Sequence, residues 1–461
     1  MSPTGSAPYE DTIVAPATAP GVAAISVIRL SGSRALEIVN DLFPAKDLSI
    51  QPSHTLHHGV LEVDGRSVDE VVVGWFKGPR SYTGEDVVEI SCHGAPLITE
   101  QVIGACLRHG ARLAGPGEFT RRAFLNGKMD LAQAEAVADL IASHSEAARK
   151  SALSHLRGGF SRKLGSLREQ LIQFSALIEL ELDFSQEDVS FADREQLYRL
   201  VDSAISEVTA LIGSFSLGNA IKAGVNVVII GKPNAGKSTL LNALVNDERA
   251  IVSEVAGTTR DTIEETLNIE GVLFRIVDTA GIREHTSDEI EGIGMQRSLQ
   301  KMEQADLVIY LFDIRDAPDE VNADLRKMEE KGIQFIPVAN KADLLSTNTD
   351  EYGWEEIPGI VIMSARNSNQ VQELCRRLFN HVTGGGLNAE DTVLTNARHL
   401  EALQRVLRSL EDIRNGMNEG LPGDLLALDI RHCLHYIGEI TGMVTNKDVL
   451  DYVFSKFCIG K

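Results

Sequence analysis

Gly231-Lys232-Pro233-Asn234-Ala235-Gly236-Lys237-Ser238 decides how the chain is read. The run fits G-x-x-x-x-G-K-[ST], a loop whose glycines let backbone N–H groups converge on phosphate oxygens. An apolar run, Val225–Ile230, precedes it, and a helix-like stretch, Ser238–Val245, follows. Strand, loop and helix are the setting such a loop requires. Asn234, Ala235, Gly236, Lys237, Ser238 and Thr239 are therefore candidate nucleotide contacts. Lys237 is the candidate catalytic charge on the β- and γ-phosphates, and the Ser238 hydroxyl is a candidate Mg²⁺ ligand.

The base is specified about a hundred residues later. Asn340-Lys341-Ala342-Asp343 follows an apolar run, Gln334–Ala339. In an N-K-x-D loop the aspartate accepts from N1–H and the 2-amino group of guanine. Adenine offers neither donor and would leave the carboxylate unpaired. Met363-Ser364-Ala365-Arg366 follows the run Gly359–Ile362, where a backbone N–H can meet guanine O6. Asp278-Thr279-Ala280-Gly281 follows Val272–Val277, with Asp278 placed for Mg²⁺ through water and Gly281 for the γ-phosphate. Thr258-Thr259 lies between, at the position of a switch threonine. Five elements in the required order predict a GTP-binding α/β domain over residues 224–382.

The switch residues raise a mechanistic question. Many GTPases orient the attacking water with a glutamine directly after D-x-A-G. Ile282 stands there and cannot do so. The acidic run that follows offers Glu291 as the residue to position water, against a reading of these acids as solvated loop charges. The positive charge of an arginine finger also needs a source. Asn234 suggests a monovalent cation, held by its side-chain carbonyl and by carbonyls around Ser253–Thr258. The alternative is that Asn234 only stabilises its loop by local hydrogen bonds.

At 461 residues the chain should hold two or three domains. A net charge of −22 and a pI near 5.0 argue against coating nucleic acid by bulk charge. Cys92, Cys106, Cys375, Cys433 and Cys458 are scattered and odd in number, which indicates neither a disulfide framework nor a zinc ribbon. Met1–Pro20 has no basic region followed by a long apolar run, and no spanning segment is evident, so a cytoplasmic chain is expected.

Three textures follow one another. From Thr12 to about Asn126, β-rich runs (Ala24–Leu30, Thr55–Val63, Asp69–Phe76, Asp86–Ser91) alternate with helices expected at Ser33–Leu42 and Pro96–His109, an α+β pattern. From Asp130 to Phe215 glycine and proline nearly vanish, and helical periodicity runs through Leu131–Ile141, Ala152–Leu182 and Arg194–Ile212. After the GTPase unit, Gly384-Gly385-Gly386 leads into amphipathic stretches at Asn396–Gly416 and Asp424–Thr441. The economical reading is a helical domain, residues 127–223 and 383–461, interrupted by the inserted GTPase domain, with residues 1–126 forming a separate α+β domain.

Ala256–Asp261 (A-G-T-T-R-D), Asp278–Arg283 (D-T-A-G-I-R) and the run Phe457-Cys458-Ile459-Gly460-Lys461 complete a pattern that closely resembles the MnmE (TrmE) family of tRNA uridine-modification GTPases. Asp11–Ala15, Ser81–Asp86, Pro116–Phe119 and Arg122–Lys128 resemble that family as well, so the likeness covers essentially the whole chain. It implies a multidomain α+β and α/β fold, with a folate-binding-like N-terminal domain and a Ras-like P-loop GTPase domain inside a helical domain. It implies a homodimer that pairs with the flavoprotein MnmG (GidA) as a heterotetramer and acts on tRNA, with no membrane and no DNA. Together the two build an aminomethyl or carboxymethylaminomethyl group on C5 of the wobble uridine. The one-carbon donor is 5,10-methylene- or 5-formyl-tetrahydrofolate, and FAD sits only on the partner.

By the same resemblance, folate contacts fall on Arg29, Glu89, Lys128 and Lys461. Potassium falls on Asn234, Ser253, Val255 and Thr258, and Mg²⁺ on Ser238 and Thr259. The nucleotide site extends to Ser253, Glu254, Val255, Ala256, Gly257, Thr258, Thr259, Asp278, Thr279, Ala280, Gly281, Asn340, Lys341, Asp343, Ser364, Ala365 and Arg366. Glu291 matches the catalytic glutamate, and Cys458 lies beside Lys461 as a candidate for one-carbon transfer, although free cysteines are often simply buried. Two rival readings remain at this level. One is a regulatory or ribosome-assembly switch GTPase, which the acidic balance disfavours. The other is a nucleotide-controlled scaffold whose folate is not chemical.

Overall fold

The computed structural model describes residues 11–184, 194–245, 264–278, 302, 304–345, 354–383 and 393–461. The first six strands are β1 (Ile13–Pro16), β2 (Ile25–Ser31), β3 (Thr55–Val63), β4 (Arg66–Phe76), β5 (Val87–His93) and β6 (Arg112–Leu113). They form one sheet of order β3-β4-β5-β2-β1-β6, with helices α1 (Ala35–Leu42) and α2 (Pro96–Arg108) between strands. Every pair is antiparallel except β1 with β6.

Side chains alternate across a strand, so each strand supplies both faces. Val14, Ile28, Leu30, Val88 and Ile90 turn to one face and pack with Ile38, Val39, Leu42, Val102 and Ala105 from α1 and α2. Ile13 and Ala15 turn to the other face, which α1 and α2 leave uncovered, and pack with Phe119 and Tyr82. Arg29 and Glu89 share that second face, directly opposite each other in the β2–β5 register.

Next come α3 (Glu118–Leu125), α4 (Leu131–Ile141), α5 (Glu146–Leu156) and α6 (Gly159–Phe184). The single periodic stretch expected over Ala152–Leu182 is therefore two helices. Gly158, at φ +80°, ends α5 and starts α6: its N–H donates to His155 O, and its carbonyl accepts from Arg162 N. A left-handed turn of this kind favours glycine and breaks a helix whatever the surrounding periodicity.

The second sheet carries the central loop. After α7 (Arg194–Gly213) and α8 (Phe215–Ala223) come β7 (Val225–Ile230), α9 (Lys237–Val245), β8 (Glu264–Ile269), β9 (Val272–Asp278), β10 (Leu307–Asp313), α10 (Pro318–Glu330), β11 (Phe335–Asn340), β12 (Val361–Ile362) and α11 (Ser368–Thr383). The strand order is β12-β11-β10-β7-β9-β8, and all pairs are parallel except β8 with β9. Helices cover both faces, which explains why β10 reads as a continuous apolar run. Leu307, Ile309 and Leu311 pack with α8, α9 and α11 residues such as Ile221, Leu240 and Leu374. Val308, Tyr310 and Phe312 pack with Val321, Leu325 and Met328 of α10.

Helix α12 (Ala397–Glu419) follows. Its Arg414 donates to Asp202 and lies over Tyr198 of α7. The 29-residue run Glu195–Ala223 is long and apolar enough by composition to cross a membrane, which was not expected. Two helices meeting at Ser214 make up that run. Leu197, Val201, Ala204, Val208 and Leu211 recur on one side of α7 and are buried within the protein.

The chain closes with α13 (Gly423–Thr441), which packs along α6, and α14 (Lys447–Ser455). Val453, Phe454 and Phe457 of the last segment pack with Phe124, Leu131 and Ala134. The described chain forms two compact units. One comprises Met1–Ala138, His155–Asp193 and Gly416–Lys461, and the other Asp139–Ser154 and Arg194–Asn415.

Arg122 of α3 is fully buried in the first unit. Its guanidinium donates to Asp11 (2.8 Å), Glu85 (3.1 Å) and Glu118 (3.2 Å). Burial pushes the Glu118 carboxyl upward, but Arg112, the Gly115 N–H and Arg122 outweigh burial and leave it below its ordinary value. Removing one partner of a buried ion cluster strands the others. Arg122→Met is therefore expected to destabilise this unit by about 3–5 kcal/mol. Trp75 lies in β4 and Trp354 in the other unit, so denaturation followed by fluorescence in single-tryptophan backgrounds separates the two. Glu118 titrates lower when folded, so its contribution is full at neutral pH and is lost on acidification below the carboxylate range. Unchanged unfolding of the Trp75 unit would remove this account.

Candidate functional site

The central loop is built by close backbone approach. Gly231 leaves β7 at φ +152°, and a Cβ there would stand 1.8 Å from the Leu311 carbonyl oxygen of β10. The loop turns through left-handed residues at Asn234 (φ +63°) and Gly236 (φ +102°), and α9 then begins at Lys237. Lys237 folds its ammonium back across the loop, donating to Gly231 O (2.9 Å) and Lys232 O (2.8 Å). Ser238 and Thr239 are exposed in the first turn of α9, and Ala235 is buried beneath. Asn234 is exposed, and its side chain makes no hydrogen bond with any described residue.

Asn340 joins this loop to two others. It ends β11 almost fully buried. Its Nδ2 donates to Ala235 O (2.8 Å), and its Oδ1 accepts from Ala365 N (2.9 Å). Its amide lies so close under Gly236 that a Cβ there would be 2.3 Å from Nδ2. Lys341 adopts a left-handed φ of +67° and pairs with Asp313. Asp343 is exposed in the turn Ala342–Leu344, and the Ser364 hydroxyl holds its carboxyl below the ordinary value. Ser364 and Ala365 are buried, Arg366 is exposed, and Gln370 accepts from Ser364 N (2.8 Å).

Asn234 to Thr239, Asn340, Lys341, Asp343 and Ser364 to Arg366 thus converge at the ends of β7, β11 and β12. Loops beyond the carboxyl ends of parallel strands are where such sheets bind ligands. Asp278 ends β9 beside Ile229 of β7, and its side chain is outside the described residues. Ser253, Glu254, Val255, Ala256, Gly257, Thr258, Thr259, Thr279, Ala280, Gly281 and Glu291 also lie outside them. Asp313 and Gln370 were not expected. Asp313 could have been found as a carboxylate closing a central parallel strand.

A second cluster sits on the uncovered face of the first sheet. Arg29 Nε donates to Glu89 Oε1 (2.8 Å), and Nη1 reaches Gly460 O (3.5 Å). The guanidinium lies over the rings of Tyr82 (5.1 Å) and Phe119 (5.7 Å). Residues 458–461 are laid across the turn before α3: Gly117 N donates to Cys458 O, Phe119 N donates to Lys461 O, and Pro116 bridges to Ile459. Burial depresses the Lys461 ammonium, and Arg29 adds to this, while Cys458 and Glu89 oppose it. Cys458 is exposed.

Arg29, Glu89 and Lys461 therefore come together. Lys128 instead donates to Pro79 O (2.8 Å) and packs beside Gly84, on the loop that carries Tyr82. Tyr82 and Phe119 were missed as individual site residues, although both lie in runs that stood out in the sequence.

Comparison with known proteins covers nearly the whole chain. The MnmE helical domain model matches residues 131–458, and the model of the GTP-binding protein TrmE N-terminus matches residues 12–128. The tRNA modification GTPase MnmE of Cytophaga hutchinsonii is 52% identical, over 100% of this chain and 100% of that one. That of Christiangramia forsetii is 48% identical over 98% and 99%, and that of Bacteroides thetaiotaomicron 47% over 98% and 100%.

Proposed function

The chain belongs to the MnmE family of tRNA modification GTPases, and from that premise we propose how its two clusters divide the work. The second unit binds and hydrolyses GTP. The observation that carries this is Asn340, whose one amide ties the phosphate loop to the loop of Ser364–Arg366. Lys237, already poised over the loop mouth, exchanges its two carbonyl partners for β- and γ-phosphate oxygens. Asp343 accepts the two guanine donors, and its ionised state suits that role.

Ser238 and Thr259, with Asp278 acting through water, would hold Mg²⁺, which would neutralise phosphate charge. Asn234, with Ser253, Val255 and Thr258, would hold K⁺, which supplies the positive charge of an arginine finger. The exposed Asn234 side chain supports this over a local loop-stabilising role, since no described residue bonds it. Glu291 positions the attacking water.

The first unit binds a reduced folate carrying one carbon. Glu89 suits the amidine-like edge of a pterin, and Arg29, Lys128 and Lys461 suit the carboxylates of its glutamyl tail. Cys458, exposed beside this cluster, would be the thiol that meets the one-carbon unit. The modification itself is built on wobble uridine C5 by a homodimer of this chain with a flavin-bearing partner of the MnmG kind. The GTPase domain acts there as an insertion within the helical domain.

The test is steady-state GTP hydrolysis in K⁺, Na⁺ or neither, with Asn234→Ala alongside. A K⁺-specific acceleration on the order of 10- to 100-fold, lost in the variant, is expected for one cation acting on transition-state charge. Equal turnover in all three media would remove the cation mechanism.

A further inference from the structure

Asp313 closes β10 and stands opposite Asn340 in the parallel pairing with β11. Its side chain is only 14% exposed. One carboxylate oxygen accepts from Arg315 N (3.1 Å) and Arg315 Nε (2.9 Å). The other accepts from Arg315 Nη2 (2.7 Å) and Lys341 Nζ (2.9 Å). Arg315 first, then Lys341, hold this carboxyl well below the usual range, so it is an anion throughout the neutral region. Lys341 separates Asn340, which is pinned at both ends of its amide, from Asp343, which is exposed. Its left-handed backbone leaves the long side chain as the free variable of the loop.

We propose that Asp313 is a positioning residue for guanine recognition, acting through Lys341. By clamping the ammonium, Asp313 lays the four-carbon stem of Lys341 along one wall of the base pocket. An alkyl stem with a charged end suits the face of a purine, because it offers both apolar cover and a cation. Without the clamp the stem samples many rotamers, and ordering them opposes binding. Arg315 keeps Asp313 from swinging away. This inference rests on the GTP-binding reading above.

The test is a double-mutant cycle on the full chain, read by binding of a fluorescent GDP: unaltered protein, Asp313→Asn, Lys341→Met and the pair. Asp313→Asn should weaken binding about 10-fold, the size of one charge-assisted hydrogen bond. In GTP turnover the loss should fall on KM rather than kcat. In the Lys341→Met background the same change should have no further effect. A merely structural Asp313 would weaken both backgrounds equally, and that result overturns the proposal, as does unchanged binding. Should Asp313→Asn not fold, Asp313→Ser takes its place in the cycle. If the unaltered chain fails to bind GDP, the GTP reading falls and this inference with it. If the chain binds GDP but the cycle is additive, only this inference falls.

Discussion

Asp343→Asn is expected to reverse the purine preference of the second unit. The Asp343 carboxylate is exposed at the loop mouth and kept ionised by the Ser364 hydroxyl, so it presents acceptors only. Guanine meets it with two donors, N1–H and the 2-amino group. An asparagine presents one acceptor and one NH₂ donor, which leaves the 2-amino group facing a second donor. Xanthine carries an oxygen at that position and restores the match. A site built on paired donors and acceptors rejects the wrong partner strongly, so kcat/KM for GTP should fall on the order of 1000-fold or more. XTP turnover should rise as GTP turnover falls. Parallel assays with the two nucleotides decide it, and GTP use equal to that of the unaltered protein would mean that Asp343 does not read the base.

Gly460→Ala should have the largest effect on the first unit's site with little on its fold. Gly460 sits at φ +96°, and an added Cβ would lie 2.0 Å from the Pro16 carbonyl oxygen of β1. Both the clash and the backbone are fixed, because the atom met is main chain. Strain and steric overlap together should cost more than about 3 kcal/mol of the seating of residues 458–461. Arg29 then loses its contact to Gly460 O, and Lys461 leaves the cluster. Calorimetry with 5-formyl-tetrahydrofolate should show binding lost in the variant while Trp75 reports an intact sheet. Binding at the unaltered strength would place the ligand elsewhere.

Much of this architecture was legible because apolar periodicity and loop chemistry agreed. Val225–Ile230 and Thr55–Val63 are strands over the ranges expected, and Pro96 opens its helix where its fixed φ suits the first turn. The two loops around Asn340 could be paired because their order along the chain is the order of strands in such sheets. Other features were hidden for physical reasons. In α3, Glu118 and Arg122 are charged residues buried against one another and their neighbours, a burial that charge and spacing alone do not announce. Asp313 carries no motif, and its partners come from a turn two residues on and from the residue that follows the adjacent strand. Gly158 divides α5 from α6 through a backbone angle, which periodicity does not register. The residues expected to hold K⁺ beside Asn234, and Glu291, lie in segments outside the described residues.

The seating of residues 457–461 on the first sheet also bears on biosynthesis. Arg29 and Gly460 are 431 positions apart, yet they share one cluster. The six strands, complete by residue 113, have all their pairing partners while the ribosome is still far upstream of the last helix. At about 5–20 residues per second, on the order of 20–90 s separates synthesis of the two ends of this contact. During that interval the nascent chain carries a folded sheet whose Arg29–Glu89 face lacks its cover. A chain cut just before residue 457 would therefore keep every strand of both sheets yet lack the contact that Gly460 makes with Arg29.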